Sequence, residues 1–132
     1  MSEPKLTRRE ARENAFLAAF AATFEPDQGE SELVLDAFAL RLLKDMQSHQ
    51  TELDGVIEAH LKGWTLARVP RVCLVALRLA LADSLYGEEK KTAVAINEAV
   101  ELVKKYGAES DYQFVNGLLG TVAREQGETT SC

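Results

Sequence analysis

The segment from Val72 to Leu85 carries apolar side chains on most sides of any helix it could form, with Val72, Leu74, Val75, Leu77, Leu79, Leu81 and Leu85 spread round the axis. A helix apolar nearly all round belongs inside other helices or inside a bilayer. This run is too short to cross a bilayer and is interrupted by Arg78 and Asp83, so no membrane span is expected. Pro70 precedes it, at a position where a helix start tolerates the missing N–H, and Gly87 marks its end. The rest of the chain is therefore expected to wrap this segment. With 132 residues it is long enough to form one domain with a core of its own.

The flanking sequence supplies the wrapping helices. Thr7 and Glu10 have capping-box spacing, so a first helix is expected from Thr7 to about Phe24, closed by Pro26. A second is expected from Ser31 to Gln47, with Leu35, Phe38 and Leu42 on one face. A third begins near Thr51, repeats Leu53, Val56, Ile57 and Leu61 at helical spacing, and stops at Gly63. A single turn over 65–69 leads into the apolar helix. Another helix spans Thr92 to Tyr106, with Ile96, Ala99, Val100 and Val103 facing in and Gly107 as its left-handed C-terminal residue. The last starts at Ser110, with Gln113 at capping-box spacing, and carries Phe114, Val115, Leu118, Leu119 and Val122. No period-two alternation is sustained anywhere. The expectation is an all-α, compact bundle of six to seven helices, a single domain over 1–124 with a flexible polar tail at 125–132.

The chemistry-bearing residues form no catalytic constellation. His49 and His60 have no partner at a telling spacing, and no glycine-rich phosphate loop or nucleophile elbow is present. Asp54 and Glu58 could face one cation but offer too few ligands, so neither a metal nor another cofactor is expected. The two cysteines, Cys73 in an apolar stretch and Cys132 in the polar tail, suggest neither a disulfide nor a zinc site. The charged N-terminal stretch has no apolar signal core, and a cytoplasmic, non-enzymatic protein is expected.

Two clusters remain. The net charge is −6, which by itself argues against nucleic acid, yet Arg8, Arg9 and Arg12 crowd one side of a helix start where the dipole already disfavours cations. Guanidiniums in this arrangement suit phosphates; the plainer reading is a solvated face paired with Glu10 and Glu13. The other cluster is Gly117 and Gly120, two glycines inside a helix that each cost about 1 kcal/mol against alanine. Close approach of another backbone or of a ligand would offset that cost, and Gly117 is expected among inward-facing residues.

Read together, these segments resemble the NusB family. The stretch 8–13 (RREARE) is similar to that family's arginine-rich opening, and 60–66 (HLKGWTL) with Arg71, Val72 and 77–80 (LRLA) to its central helices. The most specific matches are 94–107 (VAINEAVELVKKYG) followed by 114–119 (FVNGLL), and the resemblance runs from about Thr7 to Val122. It implies an all-α protein of two small helical subdomains that binds boxA-type single-stranded nascent RNA. In that family the partner is NusE, a small-subunit ribosomal protein, and the complex joins other Nus factors and RNA polymerase to suppress premature termination in ribosomal RNA operons.

By position, the resemblance implies RNA contacts at Arg8, Arg9 and Arg12. It puts Phe20 where the family often has an aromatic beside the RNA path, and Gln113 and Gly120 where a Lys and an Asp are frequent. Ala82 and Asp83 occupy the place of a partner-facing Tyr-Glu pair. The chain departs from the family pattern there and at Lys91-Thr92-Ala93, which replaces Pro-Tyr-Lys. Those departures and the acidic balance leave open a helical protein–protein adaptor with little RNA binding. A third reading, the RNA-binding domain that opens some RNA cytosine methyltransferases, requires the chain to be a fragment.

Overall fold

A computed structural model describes residues 6–24, 33–87 and 89–126. Among them are six α-helices: α1 (Arg8–Ala22), α2 (Ala37–Ser48), α3 (Gln50–Ala59), α4 (Arg71–Tyr86), α5 (Thr92–Tyr106) and α6 (Asp111–Glu125). A 3-10 turn at Leu66–Arg68 links α3 to α4, and no strand occurs among the described residues. The architecture is all-α, as the periodicity predicts.

The apolar segment is the central element. α4 packs against α1, α2, α3, α5 and α6, and its side chains from Val75 to Leu77 and from Leu79 to Asp83 are buried. α5 and α6 pair with each other and with α4, whereas α1, α2 and α3 form the second group gathered on it. α1 also touches α5, so that an α1–α5 seam joins the two groups.

Local chemistry explains most of the helix ends. Thr7 Oγ1 accepts from the Glu10 N–H at 3.0 Å and the Glu10 carboxylate accepts from the Thr7 N–H at 2.9 Å, the complete capping box. α2 does not begin at Ser31. Residues 33–36 are non-helical, and Asp36 caps a helix that starts at Ala37, its Oδ1 accepting from the Ala39 N–H at 2.9 Å. The Ser31–Glu32 part of that expectation lies outside the described residues, as does the tail from residue 127 on. α3 stops at Ala59 rather than at Gly63, where the His60 ring bonds to the Val56 carbonyl at 2.8 Å. Ser110 makes no side-chain cap to α6; Asp111 Oδ2 instead accepts from the Ala108 N–H at 2.9 Å.

The two glycine expectations fail in instructive ways. Gly107 is extended (φ −98°, ψ −173°), not left-handed, and its N–H reaches the Val103 carbonyl at 2.7 Å. A β-carbon there would sit 2.9 Å from that same oxygen, so the glycine answers to space rather than to φ. Gly117 is solvent-exposed, and a β-carbon there would meet nothing within 4 Å. It therefore does not sit among the inward-facing residues, and tight helix packing does not explain it.

Candidate nucleic-acid interface

The capped start of α1 presents the arginines, but it does not present them alike. Arg12 is 4% exposed, and its Nε donates to Asp83 Oδ2 of α4 at 2.6 Å. Burial pushes the Asp83 carboxyl above its ordinary range, and the hydrogen bond from Arg12 pulls it back. Arg9 points into solvent, its side chain 65% exposed, and forks onto Glu98 of α5 at 3.0 and 3.1 Å. Arg8 is half exposed; it reaches Glu89 at 3.3 Å and lies over the Phe38 ring, 4.2 Å from its centre. Of the expected RNA-facing arginines, Arg8 and Arg9 are on the surface and Arg12 is an internal anchor.

A second set of cations comes from the C-terminal end of α5. Lys105 donates to Glu13 of α1 at 2.6 Å, and the Tyr106 hydroxyl donates to the same carboxylate oxygen. The two donors hold the Glu13 carboxyl below its ordinary range, and Glu13 in turn raises the Tyr106 phenol. Lys104 is exposed beside them and pairs with Glu101 at 3.6 Å. Arg9, Glu13, Glu98, Glu101, Lys104 and Lys105 thus line one open depression of about 320 Å³ on the α1–α5 seam. Below it the Phe16 ring stacks on Tyr106 and on Phe20, with centres 5.6 and 6.1 Å apart. Phe20 is half-buried in this ladder rather than standing free.

The contribution of α5 escapes sequence reasoning. Lys104 and Lys105 read as favourable charges at a helix end, and nothing in the spacing says that Glu13 and Glu98 bridge two helices. In each pair the cation is largely exposed and solvent screens it, so an incoming anion can compete with the carboxylate for it. The buried Arg12–Asp83 pair cannot be exchanged in that way.

Residues 6–124, which include every side chain just described, match the NusB family. The chain belongs to the NusB family. Among its relatives, the transcription antitermination protein NusB of Lactiplantibacillus plantarum is 35% identical over 135 residues, covering 92% of this chain and 97% of that protein. The protein of the same name from Enterococcus faecalis is 35% identical, covering 95% of this chain and 94% of its own length. Among solved structures, T. maritima NusB superposes with a TM-score of 0.82 at 30% identity, over 92% of this chain and 94% of that one. A structure of the antitermination factors NusB and NusE in complex with dsRNA gives 0.77 at 26% identity, over 89% and 96%.

Seen as a NusB chain, the protein places the remaining expected site residues unevenly. Gln113 is exposed and Gly120 half-buried, both on α6, which packs on α4 and α5 and is a separate element from the one bearing the arginines. Ala82 is fully buried and Asp83 is 3% exposed. Neither side chain is on the surface expected of a partner contact, because α4 turns this face towards α1, where Asp83 holds Arg12. Asp54 is held by Arg78 at 2.8 and 3.0 Å, so it does not share a cation with Glu58. His49 stacks on Tyr86, and His60 bridges Val56 and Glu125. Among the described residues, no three His, Cys, Asp or Glu side chains gather as a metal site would require, and no helix is long and apolar enough to cross a membrane.

Proposed function

We propose that the chain is a transcription antitermination factor of the NusB type that binds boxA-type nascent RNA through the α1–α5 seam, together with NusE. The observation that supports this reading is the set of exposed cations Arg9, Lys104 and Lys105, drawn from two helices into one depression with Arg8 exposed at the start of α1, in a fold of which one structural neighbour is a complex of NusB and NusE with dsRNA. Other Nus factors and RNA polymerase join through that complex, the protein acts in the bacterial cytoplasm, and it catalyses no reaction of its own. Ala82 and Asp83 make no direct contact with NusE in this reading. Arg12 supports the face from within, and Phe20 braces it from below. Gln113 and Gly120 are secondary contacts on α6.

The test is a titration of boxA and scrambled RNA against the wild type and the Arg8→Ala/Arg9→Ala variant, each with and without NusE. The double variant should bind both RNAs more weakly, and its salt dependence should flatten by a slope of about 0.7 per lost phosphate contact. A loss confined to boxA would assign these residues to base recognition instead. Unchanged affinity and slope, with helicity intact, would move the adaptor reading ahead. That reading draws on one observation: each exposed cation of the seam already has a carboxylate partner.

A further inference from the structure

Arg71 opens α4, and its guanidinium carbon lies 4.3 Å from the centre of the Phe24 ring. Arg8, Arg9, Arg12, Arg41 and Arg78 each have a carboxylate partner, whereas Arg71, like Arg68 and Arg124, has none among the described residues; of these three only Arg71 lies over an aromatic ring. Phe24 is 57% exposed, the most exposed of the large hydrophobic side chains among the described residues. A cation with no carboxylate partner among the described residues, lying over an exposed aromatic ring, offers the elements of a stacking platform. A π-face takes any base, and a guanidinium takes either a base plane or a phosphate.

The platform is continuous with the seam. Arg9, Glu13, Phe16 and Phe20 recur at spacings of four, three and four along α1 and so share one face of it. Phe24, in the turn after the helix, packs edge-on against Phe20 with centres 5.1 Å apart. A ladder of rings, buried at Phe16 and half-buried at Phe20, therefore runs beneath the surface from Tyr106, beside Lys105, to Phe24 and Arg71, so the two exposed ends lie on the same side of α1. At about 1.5 Å per residue the stripe is roughly 22 Å long. At its far end Arg71 also borders a cavity of about 410 Å³ with an apolar floor, where Thr23, Gln47 and Gln50 supply groups able to hydrogen-bond a base edge.

We propose that Phe24 and Arg71 form a second RNA contact, which takes one unstacked base and its phosphate from single-stranded RNA running past the seam. This rests on the RNA-binding reading given above and extends the footprint to the opposite end of α1. Among the described residues the cation at this end is not shared with a carboxylate, unlike those of the seam, and it acts on RNA long enough to reach it.

The test uses the full chain with NusE, a short boxA RNA, and the same RNA lengthened by several nucleotides at the 5′ or the 3′ end. One lengthened RNA should bind more tightly than the short one. Arg71→Ala and Phe24→Ala should each remove that gain, by roughly tenfold for a stacked base. Arg71→Ala alone should lower the salt slope by about 0.7. Both side chains are exposed, so thermal melts should not change. Three results would overturn the proposal: neither lengthening tightens binding; the gain survives both substitutions while Arg9→Ala still weakens binding; or the variants lose affinity for NusE without RNA, which would make the platform a protein contact. If Arg8→Ala/Arg9→Ala also leaves every affinity unchanged, the RNA-binding reading falls with it.

Discussion

Arg9 and Arg12 stand three residues apart on α1, and each meets a carboxylate from another helix. Arg12 meets Asp83 inside the bundle, where both side chains are 4% exposed; Arg9 is 65% exposed and reaches down to Glu98, whose side chain is 13% exposed. The first pair has no water to fall back on, so removing one partner strands a buried charge. In the second, Arg9 itself stays in water and loses little on letting go of Glu98, which is what a surface that must accept a phosphate requires. Burial, and not residue type or position in a motif, decides which arginine serves the fold and which is available to a ligand.

The sharpest way to break this comparison is Arg12→Ala. It should cost about 3–5 kcal/mol of stability at neutral pH, read from denaturant melts. The deficit should shrink on acidification, because burial raises the Asp83 carboxyl and a protonated Asp83 no longer needs the guanidinium. A variant as stable as the wild type would show that the pair is not an anchor.

Glu98→Gln probes the other side. Releasing Arg9 from its carboxylate should strengthen RNA binding by a few-fold and leave the melting temperature unchanged. Weaker binding would mean that Glu98 orients Arg9 rather than competing for it. Gly117→Ala extends the contrast to the backbone. With nothing within 4 Å of the added carbon, the substitution should stabilise α6 by about 0.5–1 kcal/mol. A loss of stability would revive the close-packing idea that the exposed position removes.

The smallest effect is expected at His60. Its two ring nitrogens face two acceptors, the Val56 carbonyl at 2.8 Å and the Glu125 carboxylate at 2.7 Å, so the charged ring fits best and its pKa is raised above 6.5. A histidine raised in the folded state contributes fully below its unfolded value and loses that contribution as pH rises through the folded one. Amide exchange in the last turn of α6 should therefore quicken, beyond its intrinsic pH dependence, as pH rises above about 6.5. Glu125 is largely exposed, which keeps the change small. An equal change in His60→Gln would show that another group titrates.

The fold was legible because hydrophobic periodicity is a property of the chain itself. The central place of α4 follows from apolar side chains on most of its sides, and the α1 capping box from Thr7 and Glu10 alone. The boundaries that went wrong depended on competing local bonds, such as Asp36 capping three residues before Ala39. The site was only half legible. The arginine cluster stands out in sequence, but its division into Arg8 and Arg9 outside and Arg12 inside depends on Asp83, 71 residues away in the chain. The same holds for Glu13 with Lys105, where the partner lies on a helix that spacing cannot place. The burial of Ala82 and Asp83 was not legible either, because a positional match carries no information about which way a helix has been turned.

The carboxylates threaded among the seam's cations have a kinetic consequence. Glu13, Glu98 and Glu101 largely cancel the charge of Arg9, Lys104 and Lys105, so little field extends beyond the surface to draw a polyanion in. Association without steering proceeds at about 10⁵–10⁶ M⁻¹s⁻¹ and changes little with ionic strength. The salt dependence of binding should then appear almost wholly in the lifetime of the complex. Random RNA would collide with this face as often as the right RNA does, and would simply leave sooner.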